Sequence, residues 1–332
     1  MKNRALLIAF AVVIIVLPWL MQGSSLFGFM VLAGIYAITA MGVDLVFGYS
    51  GQITLGHGAF LAIGAYSSSI LTLRYGFPPL LALVVGAVVA SIIAFLIGAP
   101  VLGLLTHFHL AMATLAFGVL VYNFLVVGGE FTGGFSGIAG VPRFSIGPYN
   151  FADDLSYYYL VWGFAFVLLV IGLNIGNSQA GRLLKAIQSD ETAAEAAGVD
   201  VGAYKLKIFL LSAVYSSIAG GLMAHYMMYV SPTQFDITTS FDLITMSVLG
   251  GRGTIIGGVL GAAFLKLLPQ FTEFFRDYRL LSNGILITAV LLLMPGGITG
   301  LLRTLLRQVE KLVVQSTVKD KRPALVAKEG EE

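Results

Sequence analysis

Four histidines, His57, His107, His109 and His225, are the side chains best suited to metal or acid–base chemistry in this chain, and their placement argues against it. His107 and His109 stand two residues apart and face roughly opposite ways on a helix, so they do not make a metal pair. The absence of cysteine excludes a disulfide scaffold, a thiolate metal site and cysteine catalysis, and leaves the redox compartment open. No G-x-x-x-x-G-K-[ST] run is present to cradle phosphates, and Gly250-Gly251-Arg252-Gly253 lacks both the lysine and the strand-to-helix setting. H-E-x-x-H and G-x-S-x-G are absent too. The expectation is a chain that binds no cofactor or metal of its own and is not an enzyme.

The polar residues that stand out lie within apolar stretches, where a central charge costs about 2.5–3.5 kcal/mol on insertion scales and needs an account. Asp44 is either a path or gate group or a carboxylate bonded to the exposed amides of the glycine turn at 48–58. Gln52, Thr54 and His57 border that turn, whose broken helix entry exposes backbone dipoles suited to a zwitterion. The alternative there is close helix crossing at Gly51, Gly56, Gly58 and Gly64. Thr114, Tyr122 and Asn123 are read as lining groups or interhelical hydrogen-bonders, and Asp242 and Lys266, at similar depth, either as a pair or with Lys266 snorkelling to the interface.

These residues must be held by membrane helices. Of 332 residues, 58% are hydrophobic and 11% charged. Uncharged runs such as Ala5–Val43, Tyr75–Gly129 and Leu280–Leu302 each hold at least one span of about 20 residues. They lack the alternation of an outer-membrane barrel, so the fold class is all-α, a polytopic integral-membrane helical bundle. Breaks at Gly, Pro and polar clusters give about ten helices. They fall near 5–21, 26–49, 57–74, 78–98, 107–127, 157–176, 204–230, 238–251, 253–270 and 280–299. The segment 238–251 reaches only ~21 Å and is either short, broken or re-entrant. Met1-Lys2-Asn3-Arg4 resembles a signal-peptide start, but the apolar run to Met21 is too long and lacks an A-x-A site, so it is read as a retained first span.

Arg182, Lys185, Lys205 and Lys207, with the basic tail from Arg303 to Lys328, place the 177–204 loop and both termini in the cytoplasm. Residues 1–302 then form the transmembrane domain, 303–332 a cytoplasmic tail expected to be disordered, and 128–156 an external loop. The net charge of +2 carries no nucleic-acid signal, since topology accounts for the basic residues.

Four motifs in order then carry a resemblance: Gly48-Tyr49-Ser50-Gly51-Gln52-Ile53-Thr54-Leu55-Gly56-His57-Gly58-Ala59-Phe60 followed by Gly64-Ala65-Tyr66, Thr132-Gly133-Gly134 with Gly137-Ile138, Pro232-Thr233-Gln234-Phe235 leading into Leu249-Gly250-Gly251-Arg252-Gly253-Thr254, and Pro295-Gly296-Gly297-Ile298-Thr299-Gly300-Leu301. Together they resemble the LivM branch of the branched-chain amino-acid ABC-importer permeases, from about residue 30 to 302. The resemblance implies a plasma or inner-membrane permease subunit with a LivH-like partner. It also implies two cytoplasmic ATPases that carry the ATP and magnesium, and an external solute-binding protein. Relatives carrying urea, short amides or aromatic acids are the substrate alternatives, and an ion-coupled secondary transporter is the rival class.

In the cytoplasmic loop, Asp190-Glu191-Thr192-Ala193-Ala194-Glu195 up to Gly198 reads as a short helix with acids in its first turn and a glycine stop. With Gly181 ahead of it, this is the expected ATPase-coupling segment, although Thr192 stands where the importer pattern has Glu. Glu191 and Glu195 are expected to meet the partner. Glu130, Thr132, Gly133 and Gly134 are the expected docking positions for the binding protein.

Overall fold

The computed structural model describes residues 2–20, 27–102, 107–268 and isolated positions between 278 and 304. The expected span near 280–299 and the tail 303–332 fall outside the described residues apart from those positions. The helices are α1 (Lys2–Leu20), α2 (Phe27–Ser50), α3 (His57–Tyr75), α4 (Pro79–Leu102), α5 (His107–Val127) and α6 (Gly129–Thr132). They continue with α7 (Asp154–Asn177), α8 (Gln179–Ser189), α9 (Glu191–Ala196), α10 (Val201–Met227), α11 (Ile237–Gly250) and α12 (Ile255–Leu267).

Among the described residues, α2, α4, α5, α7 and α10 are long and apolar enough to cross a membrane. The stretch Pro232–Gly250 together with α12 makes one further apolar unit, bent by 117°. Helices are the local solution because each backbone donor is satisfied within its own segment, as a bilayer interior demands. The chain is therefore a polytopic helical membrane protein. α3 carries Ser67, Ser68, Ser69, Thr72 and Arg74, which lower its apolar character. It is nonetheless inside the bundle, where Ser68 Oγ bonds His225 Nε2 of α10 at 2.8 Å.

α2 and α10 form the core. α10 packs on α2, α3 and α4, and α2 on α7, α10 and α12. Small residues set the α3–α10 crossing: a Cβ on Gly64 would strike the Ser217 backbone, and one on Gly220 the Leu61 carbonyl. Buried aromatic donors tie helix to helix through carbonyls. Tyr215 Oη reaches Leu168 O at 2.7 Å, Tyr157 Oη reaches Leu222 O at 2.6 Å and Trp162 Nε1 reaches Met30 O at 3.2 Å.

At one end, residues 128–153 fold into structured cover rather than a bare loop. Strand β1 (Ile138–Ala139) pairs antiparallel with β4 (Tyr229–Val230) beyond α10, and β2 (Ser145–Ile146) pairs with β3 (Tyr149–Asn150). At the opposite end, α8 and α9 join α7 to α10.

Candidate functional site

Between α2 and α3 the chain leaves helix for residues 51–56, and this segment is the centre of the site. Gly51 opens it at φ +73°, a left-handed backbone that glycine alone adopts freely. Gly51 lies against Gln188 of α8, at the α8–α9 end of the bundle. The far side of the segment reaches His57, whose ring meets Ser212, eleven residues past Val201 and so roughly 16 Å along α10. The segment thus runs from the bundle end into its interior, and non-helical backbone at such depth is tolerated where protein or a water-lined path surrounds it.

Hydroxyl groups on three helices hold it. Ser212 Oγ donates its proton to Gly42 O at 2.7 Å, so it must accept from His57 Nε2–H at 2.6 Å. The neutral ring then accepts from Thr54 Oγ1 at Nδ1, 2.9 Å away. Leu55 N donates to Thr114 Oγ1 of α5 at 3.0 Å, and Gly58 N to Ser240 Oγ of α11 at 3.1 Å. The structure therefore brings Thr54, His57 and Thr114 together, with their polar atoms spent on fixing the segment. Gln52 differs: its side chain is buried, yet neither amide atom has a hydrogen-bond partner among the described residues.

Asp44 belongs to another junction. Its Oδ1 accepts from Ser247 Oγ at 2.9 Å and Gly253 N at 3.1 Å, so it clasps the turn at 250–254 between α11 and α12. The carboxylate does bond the amide of a glycine turn, but not that of the 48–58 turn expected from the sequence. The reason is tertiary, since the end of α2 meets the 250–254 turn through Gly48. Lys266 sets its ammonium over the Tyr36 ring, 3.5 Å from the centroid, and Asp242 is buried in α11.

In the α8–α9 loop, Asp190 caps α9 by accepting from Ala193 N at 3.0 Å, and Gly198 ends it at φ +82°. Ala194 is buried with Ile187 and Val201, which seats α9 on α8 and α10. Gly181 sits where a Cβ would overlap Ile175 O, at the bend from α7 into α8. Glu191 turns toward the bundle: its Oε1 lies 2.5 Å from Nζ of buried Lys205, so it braces α9 against α10. Glu195, Thr192, Ala193, Ala196 and Ala197 are exposed, a nearly bulk-free face. Sequence reasoning missed α8 as a helix, although its Ser178 cap and the buried Gly181, Leu184 and Ile187 carry the helical period.

At the other end Thr132 is also turned inward, donating from Oγ1 to Leu125 O at 2.8 Å and accepting from Gly134 N at 3.3 Å. It shapes the turn after α5 rather than presenting a side chain for docking. Gly133 packs its Cα against the Gly137 carbonyl, so the Thr-Gly-Gly motif is geometric. Glu130 remains on the surface, its carbonyl bonded by Arg74 Nη2. The described residues contain no group of three or more His, Cys, Asp or Glu arranged to hold a metal.

A polytopic helical bundle whose interior is entered by a break between two helices, and whose opposite ends carry a small exposed helix and a structured cap, has the make-up of a membrane permease component. The family model described as branched-chain amino acid transport system / permease component matches residues 25–295. High-affinity branched-chain amino acid transport system permease protein LivM of Salmonella typhimurium is 30% identical, across 92% of this chain and 77% of that one; LivM of Escherichia coli gives the same figures. Ribose import permease protein RbsC of Escherichia coli is 27% identical, across 80% of this chain and 82% of its own. LivH of Escherichia coli is 24% identical, across 83% and 94%. No solved structure matches the chain. This chain belongs to the branched-chain amino-acid transport permease family.

Proposed function

We propose that the chain is the membrane-spanning subunit of an ATP-driven importer that passes branched-chain amino acids handed over by an external solute-binding protein. In this reading it has ten spans with both termini in the cytoplasm, pairs with a LivH-like second permease, and is driven by two cytoplasmic ATP-binding subunits. It carries no ATPase of its own.

The observation that carries the reading is the close approach of Gln188 to Gly51, where a Cβ added to the glycine would lie 3.2 Å from Gln188 Cγ. It joins the loop bearing the exposed α9 face directly to the broken segment 51–56. A push on α9 is passed to α8 through Ala194 and Ile187, and from α8 to the segment that enters the bundle. A side chain exchanged between two discrete packings would transmit this far better than a flexible tether. Gln52, buried with its amide unbonded, is the group of the segment with hydrogen-bonding capacity left for a passing solute. Asp44, Thr54, His57 and Thr114 support the path from behind, and Glu195, Ala193 and Gly198 form the ATPase face. Glu130 stays with the cap at 128–134 as the binding-protein contact.

The test is uptake of labelled leucine into proteoliposomes holding the complete complex and its binding protein. Uptake that requires trapped ATP and stops when the ATPase subunits are omitted is the expected result. Uptake driven by an ion gradient without them would overturn the reading.

A further inference from the structure

Halfway along α5 a cavity of about 170 Å³ opens between α5, the 51–56 segment and the start of α11, and none of the roles above uses it. Leu55, Leu115, Val119 and Ile237 form its apolar wall. An aliphatic cavity of about 150 Å³ accommodates a benzene-sized guest, so this one matches a single small branched alkyl group.

Three polar side chains line the same cavity, Tyr122, Asp236 and Ser240, and each has capacity unused. Asp236 caps α11, and all its described bonds end on Oδ1, from Thr239 N at 3.1 Å, Thr239 Oγ1 at 3.3 Å and Thr238 Oγ1 at 2.6 Å. Its Oδ2 is left for another donor. Ser240 Oγ accepts from Gly58 N at 3.1 Å, and its own proton has no acceptor among the described residues. The Tyr122 hydroxyl has none either.

We propose that this cavity is the station at which the chain receives an aliphatic α-amino acid in transit. The ammonium pairs with Asp236 Oδ2, the carboxylate takes the hydroxyl protons of Ser240 and Tyr122, and the alkyl group lies against Leu115, Val119 and Ile237. The ammonium then meets an opposite charge and the carboxylate two hydroxyl donors, so neither end of the solute is left bare in a partly desolvated site. A neutral sugar would leave Asp236 without a cation. Leu55 belongs both to the wall and to the segment touched at its other end by α8, so motion of that segment changes the cavity. This inference rests on the importer reading.

The experiment uses the complete transporter with its binding protein in proteoliposomes and compares leucine with valine uptake. Gly118→Ala shrinks the cavity without disturbing the fold, because a Cβ there meets only Leu55 O at 3.6 Å. It is expected to lower the leucine-to-valine ratio at least 3-fold, and Val119→Ala to raise it. Asp236→Asn preserves both the cap and the volume while removing the charge, since Asn caps helices as well as Asp. Uptake of both solutes is expected to fall at least 10-fold in a complex that assembles normally by size-exclusion chromatography. Unchanged ratios with Asp236→Asn within 2-fold of the parent would overturn the cavity assignment alone. A parent complex that imports neither solute would overturn the importer reading as well.

Discussion

The segment at 51–56 and the turn at 250–254 both interrupt helices with glycines, and both meet the end of α2. The turn is clasped on itself: Gly251 N bonds Ser247 O at 3.1 Å, Thr254 Oγ1 bonds Gly251 O at 2.6 Å, and Asp44 takes the Gly253 amide. Two of these bonds close within three or four residues, and the third brings in the end of α2. The 51–56 segment is instead held at a distance, by hydroxyls on α5, α10 and α11 and by van der Waals contact with α8. One break locks α11 to α2; the other hangs between elements that can move relative to each other. Similar glycine spelling therefore gives a fastener in one place and a mechanical link in the other.

The largest effect should come from breaking the fastener. Asp44→Ala strands the Ser247 hydroxyl and the Gly253 amide, each at a cost of about 1–3 kcal/mol. A clear fall in the unfolding temperature of the detergent-solubilised protein is expected. Asp44→Asn, which keeps an acceptor oxygen, should recover most of it; equal losses for both variants would mean that the carboxylate does not act through these bonds.

The next effect separates two acids that the sequence presents alike. Glu191→Ala leaves Lys205 buried and unpaired, a loss of about 2 kcal/mol, below the 3–5 kcal/mol of a wholly buried pair because Glu191 is 30% exposed. Glu195→Ala should leave stability within about 0.5 kcal/mol while lowering solute-stimulated ATP hydrolysis several-fold. Paired thermal and ATPase assays decide it, and interchangeable behaviour would refute the division of roles.

A smaller change sharpens the link. Gln52→Leu removes a buried amide without partners among the described residues and should raise stability by about 1 kcal/mol, while uptake falls. A variant both less stable and fully active would show that the amide has partners and no role in the path.

Much of this was legible in the sequence. Nine expected segments fall on observed helices, because hydropathy and glycine breaks are local signals, though among the described residues five helices and the bent pair of α11 and α12 are long and apolar enough to span. Asp190 and Gly198 bracketed α9 for the same reason. What the sequence hid were partners far along the chain. Nothing local tells Asp44 which of two glycine turns it will meet, or shows that Glu191 faces Lys205 and Glu195 faces outward. The cavity at Asp236 was hidden too, because its walls come from three segments separated by more than a hundred residues in all. Thr132 misled for the opposite reason: a polar residue at a loop start reads as exposed, yet its hydroxyl was needed to close the end of α5.

The central claim is that force enters at α9 and reaches the 51–56 segment through Gln188, and Gln188→Ala in the complete reconstituted complex tests it most directly. Alanine keeps α8 helical and removes the part of the side chain beyond Cβ that approaches Gly51 most closely. The account predicts ATP hydrolysis close to that of the parent with leucine imported per ATP reduced at least 5-fold; an unchanged ratio would contradict it.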